Sequence, residues 1–125
     1  MKIQDLLNRY YFHDSTLERL SVDETAHTVS IDLYFCNWLQ SYFTPDLPKN
    51  IQVRLLFQGV RSFKKENLEM NEPSGNEILE TEMVEDGLFG TGIHFLLYNW
   101  NLTDDTHLYI YADDVEFIIL PQEEE

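Results

Sequence analysis

Residues 28 to 36 read Thr-Val-Ser-Ile-Asp-Leu-Tyr-Phe-Cys, so Val29, Ile31, Leu33 and Phe35 fall on every second position with Ser30, Asp32 and Tyr34 between them. Side chains alternate across a pleated ribbon, so this pattern predicts a half-buried strand. One of its faces must find apolar partners, and the neighbouring segments are expected to supply them as a sheet.

The segment before it fits that role. Ser15 to Val22 reads as a strand and the polar stretch Glu24 to His27 as a hairpin loop, which sets Val22 across from Val29, Leu20 from Ile31 and Arg19 from Asp32. That register matches apolar to apolar on one face and opposite charges on the other, a pairing worth a few tenths of a kcal/mol. Further along, Ile51, Val53, Leu55 and Phe57 alternate with more polar neighbours, and the strand is expected to run on or bend at Gly59 toward Phe63. Asn76 to Glu85 sets Glu80 and Glu82 against Leu79 and Met83, a wetter strand suited to a sheet edge. Gly92 to Trp100, His107 to Ala112 and Val115 to Leu120 complete the set, the last two joined or kinked at Asp113-Asp114.

At the start of the chain, Ile3, Leu6, Leu7, Tyr10 and Tyr11 recur at intervals of three and four, which gathers them on one stripe of a short helix ending near Phe12. Such a helix is too short to persist alone and must lie on the sheet. The expected fold is α+β and mainly β: one N-terminal helix packed on an antiparallel meander of about six or seven mostly sequential strands, curled into a sandwich or partial barrel. The chain of 125 residues reads as one domain, 1–125, with 121–125 as a frayed acidic tail after Pro121. Between the strands, 37–50 carries Trp38, Tyr42, Phe43, Pro45 and Pro48, a loop with aromatic anchors.

Composition narrows the function classes. The net charge is -15, and every Lys and Arg lies within the first 65 residues. The 57 residues from Glu69 onward hold fifteen Asp and Glu and no Lys or Arg, so the whole excess sits there. A field of that sign repels nucleic acid and anionic membranes and steers a cationic partner inward. The N-terminus lacks a signal-peptide apolar run, no segment approaches a membrane span, and the single Cys36 forms no internal disulfide; a cytoplasmic protein is expected.

Motifs that could carry chemistry have plainer explanations. His13-Asp14 could bind metal or move protons, and a metal-binding or hydrolytic domain built on it is one alternative; the pair also suits the turn after the helix. His94 and His107 would fall roughly 17 Å apart if 101–105 closed a hairpin setting His107 opposite Asn99, which argues against a shared site. Asp104-Asp105 and Asp113-Asp114 lack the spacing of a calcium loop, and Gly87, Gly90 and Gly92 lack the Lys of a phosphate loop. Cys36, closing the central strand, reads as a small buried hydrophobe, and no serine sits in a nucleophile elbow. Trp38, Tyr42, Phe43 and Trp100 are the aromatics available to line a groove. No cofactor is expected.

The short helix, Phe12-His13-Asp14-Ser15 leading into a strand, Val29-Ser-Ile-Asp-Leu, Val53-Arg-Leu-Leu-Phe and a closing Ile110-Tyr-Ala-Asp-Asp-Val115 together resemble small bacterial β-rich proteins, some grouped with immunity proteins of contact-dependent toxins. That resemblance implies a non-catalytic binder that occludes a toxin, and the acidic surplus would suit a basic nuclease as the target. The expected docking residues are Glu80, Glu82, Asp104, Asp105, Asp113, Asp114 and Glu116. A homo-oligomeric β-domain without chemistry of its own is the other alternative.

Overall fold

The computed structural model describes residues 1–66, 76–98 and 105–122. Strand β2, Thr28–Cys36, sits between β1, Thr16–Asp23, and β3, Asn50–Glu66. Its alternation is realised: Val29, Ile31, Leu33 and Phe35 are fully buried, while Ser30 and Asp32 are half-buried and Tyr34 is exposed. The β1–β2 register sets Val22 against Val29, Leu20 against Ile31 and Arg19 against Asp32, as the face-matching argument predicts. On the far side Asp32 meets Arg54, whose Nε and second guanidinium nitrogen donate to its two carboxylate oxygens at 2.7 and 3.1 Å. The three outward side chains thus form a charge ladder, Arg19, Asp32, Arg54, across three strands.

A second meander follows: β4, Glu77–Asp86; β5, Gly90–Tyr98; and β6, Thr106–Ile119. The two meanders join through β3 and β6, which pair from Val53↔Ile119 to Glu66↔His107. The strands are therefore not sequential throughout. Their order is β1-β2-β3-β6-β5-β4, closed into a barrel. The strand expected to run on or bend at Gly59 and the segments expected to be joined or kinked at Asp113-Asp114 are each one continuous strand, β3 and β6.

The bend has a local cause. Gly59 adopts φ +63°, and a β-carbon there would stand 2.5 Å from Asp113 Oδ2 on the paired strand. Only glycine fits both the backbone and the space. The β3–β6 register slips just beyond, between Val60 and Ser62, as it does at an antiparallel bulge. One half of each long strand serves the β1–β2 side of the barrel and the other half serves the β4–β5 side.

Closure depends on a narrow seam. β1 and β4 share one register pair, Thr16↔Glu77, so β4 is not the open edge its polarity suggested. Asp14 N–H donates to Ile78 O at 2.9 Å, Ile78 N–H to Ser15 O at 2.8 Å, and Leu17 N–H to Asn76 O at 2.8 Å. Phe12-His13-Asp14-Ser15 therefore builds the seam. Phe12 is buried, Asp14 turns the chain at φ +66°, and the Ser15 hydroxyl accepts from Cys36 N–H at 3.0 Å.

The helix α1, Ile3–Arg9, packs Ile3 and Leu6 into the core against β4, β5 and β6. Its start is tied to β6 where Met1 and Val115 exchange backbone hydrogen bonds. The interior is built from Phe12, Phe35, Phe57 and Phe95 with Ile and Leu side chains between them, each worth about 1.5–3 kcal/mol of burial. Among the described residues no helix is long and apolar enough to cross a membrane.

Candidate functional site

Strands β4, β5, β6 and the second half of β3 send alternate side chains inward and outward. Phe95, Leu108, Ile93 and Ile110 go to the core. Their neighbours form rows across the outer face: Glu80, Leu96, His107, Glu66; then Glu82, His94, Tyr109, Lys64; then Val84, Gly92, Tyr111, Ser62. Gly92 is required by its row, since a β-carbon there would lie 2.6 Å from the Tyr111 ring that covers it.

The centre of this face is a hydrogen-bonded chain. Glu82 Oε1 lies 2.9 Å from His94 Nδ1, and His94 Nε2 lies 2.8 Å from His107 Nδ1. Tyr109 stacks on the His94 ring with centroids 4.4 Å apart, while the two imidazoles lie side by side, 15° from coplanar, with centroids 5.1 Å apart. The His94 side chain keeps only 12% of its exposure, whereas Glu82 keeps 65%. Beside them Lys64 pairs with Glu66 at 2.9 Å and stands 5.9 Å over the Tyr109 ring. The hydrogen bond from Lys64, and then its charge, hold the Glu66 carboxyl below its ordinary range, and Glu66 raises Lys64 in return.

This contact overturns the separation expected for His94 and His107. β5 ends at Tyr98 and β6 begins at Thr106, with Leu97 opposite Thr106, so His107 faces Leu96 rather than Asn99. The connection is longer than the assumed hairpin loop, and the register moves by three residues.

Tautomer logic limits what the chain can do. A Glu82 carboxylate only accepts, so His94 carries hydrogen on Nδ1; in the neutral ring its Nε2 then accepts from His107 Nδ1–H. The three side chains thus form one continuous hydrogen-bonded chain, from the Glu82 carboxylate through His94 to His107. Among the described residues no group of three or more His, Cys, Asp or Glu could hold a metal ion.

The acids proposed for docking are divided by the bend. Glu80 and Glu82 project one residue apart on the outer face of β4, paired with Leu96 and His94. Asp105 is exposed just before β6. Asp113 and Asp114 lie at the bend, where Arg61 reaches Asp113 at 2.8 Å and Lys2 reaches Asp114 at 3.4 Å. Glu116 is exposed beyond the bend, opposite Leu56. Asp104 and Trp100 lie outside the described residues.

His13 and Asp14 face each other, Nε2 to Oδ1, at 3.2 Å, but His13 Nδ1 is engaged with Leu79 O at 2.8 Å. Both serve the seam, next to the register shift of β4 between Ile78 and Glu80. Cys36 is buried; loss of hydration pushes its thiol up, and the Ser15 hydroxyl partly opposes this. Of the loop aromatics, Tyr42 lines a groove with the end of α1 and the end of β6, while Trp38 is exposed and Phe43 half-buried. No protein-family model and no curated protein matches this chain.

Proposed function

We propose that the chain is a non-catalytic interaction protein that docks a basic protein partner on the outer face of β4, β5 and β6. The observation that carries this reading is the pairing of Glu80 and Glu82 on one outward strand face with the aromatic row of His94 and Tyr109 beside them. Carboxylates next to ring faces suit Arg and Lys side chains, which donate charge-assisted hydrogen bonds to the one and make cation–π contact with the other. The charge excess of the last 57 residues supplies long-range steering toward the same kind of partner. A nuclease occluded by its immunity protein is the instance that the resemblance implies.

Affinity capture with wild-type protein and an E80Q/E82Q variant tests the reading. The expected partners are basic proteins, released at about 0.5 M salt, where screening reaches only a few Å. They should be lost in the variant. Partners no more basic than background, or binding indifferent to both salt and the two substitutions, would refute it.

A further inference from the structure

From the groove between α1, the aromatic loop and the end of β6 we infer a binding site for a small monocarboxylic acid with an apolar body. The groove has a volume of about 790 Å³, within the range of small-molecule sites. Its floor is apolar: Tyr10 and Phe117 stack at 3.9 Å with rings 4° from parallel, and Ile51 adjoins them. Leu47, Tyr42 and Ile119 form the rim and are 36%, 45% and 63% exposed, an exposed apolar edge among the described residues.

Both walls are held in place before any ligand arrives. Gln40 exchanges hydrogen bonds with the Tyr11 backbone at 2.8 and 2.6 Å, and Asn37 Nδ2 donates to Pro48 O at 2.9 Å, fixing the loop against the helix end. Across the groove Gln122 makes the same exchange with the Gln52 backbone at 2.8 and 3.1 Å. These clamps lower the ordering cost of binding. They also show that Gln122, expected to be frayed, is anchored.

The sign of the ligand follows from the one formally charged side chain among the described residues of the lining, the exposed guanidinium of Arg9. None of the ion pairs among the described residues uses it. A carboxylate can take its paired N–H donors while an aliphatic or aromatic body lies over Tyr10 and Phe117. The molecule's overall negative field opposes this ligand at long range. Added salt screens that repulsion more than the short contact with Arg9, so affinity should hold or rise with salt, opposite to docking of a basic protein.

Calorimetric titration with decanoate, and with 1-decanol as the uncharged counterpart, tests the site on the full chain. The expected result is saturable one-to-one binding of decanoate, at least about tenfold weaker in R9Q and for decanol. I119D, at an exposed position, should also lose binding while its thermal melt stays unchanged. Equal binding of decanoate and decanol, unchanged affinity in R9Q, or no saturable binding to the wild type would overturn the proposal. Since E80Q/E82Q lies on another face and should leave decanoate binding intact, failure of this site and failure of the docking face can be told apart.

Discussion

His94 Nε2 stands 2.8 Å from His107 Nδ1 across neighbouring strands, and the carboxylate of Glu82 holds the other nitrogen of His94 at 2.9 Å. Removing one ring strands a polar atom of the other, and for His94 that atom is largely shielded from water. H94A and H107A are each expected to cost about 1 kcal/mol of unfolding free energy, and the double variant less than their sum. Urea denaturation of the full cycle measures the coupling. Strict additivity would mean that the contact contributes nothing.

How much of this was legible in the sequence depends on the element. The β1–β2 register was readable because face matching and a short polar loop agreed on one answer for Val22, Leu20 and Arg19. The β5–β6 register departs from the one loop symmetry predicts, because the pleat decides it. Setting His107 opposite Asn99 would have placed the inward Leu108 against the outward Tyr98. Matching Leu108 to Phe95 and Ile110 to Ile93 gives the observed pairing and brings the histidines together. The β3–β6 pairing and the groove could not be seen in advance. Both join residues distant in the chain, such as Tyr10 and Phe117, and no local pattern encodes such contacts.

Among the described residues Gly59 should be the least replaceable glycine. G59A must accept φ +63° and a β-carbon 2.5 Å from Asp113 Oδ2, so it is expected to destabilise by about 1–3 kcal/mol. G87A meets nothing within 4 Å and should be near neutral. Thermal melts of the two variants compare them directly, and equal stability would remove the account of the bend.

Cys36 gives a pH prediction. Its thiol is raised above its ordinary 9.0 by burial, so the folded chain holds this proton more tightly than the unfolded chain. The resulting stabilisation is fully present below pH 9.0 and is lost as pH rises through the folded value. A C36A variant should therefore lose less stability than wild type between neutral and strongly alkaline pH. Native wild type should react slowly with iodoacetamide and quickly once unfolded. Rapid native labelling would contradict the burial.

The seam yields the last test, because it assigns Phe12-His13-Asp14-Ser15 to closing the barrel. Asp14 turns the chain at φ +66° while its N–H reaches Ile78 O, and His13 donates to Leu79 O one residue further on. Asp tolerates this left-handed conformation and a β-branched residue does not. D14V is expected to cost about 1–3 kcal/mol, H13A about 1 kcal/mol, and D14G less than D14V because glycine adopts the angle freely. Hydrogen exchange should locate the damage. In D14V the amides of Leu17 and Ile78, which close β1 on β4, should lose protection before those of Ile31 and Leu33 in β2, which has partners on both sides. Uniform loss of protection across β2 and the seam would show that closure is not a separable unit, and the four-residue stretch would then have to be explained some other way.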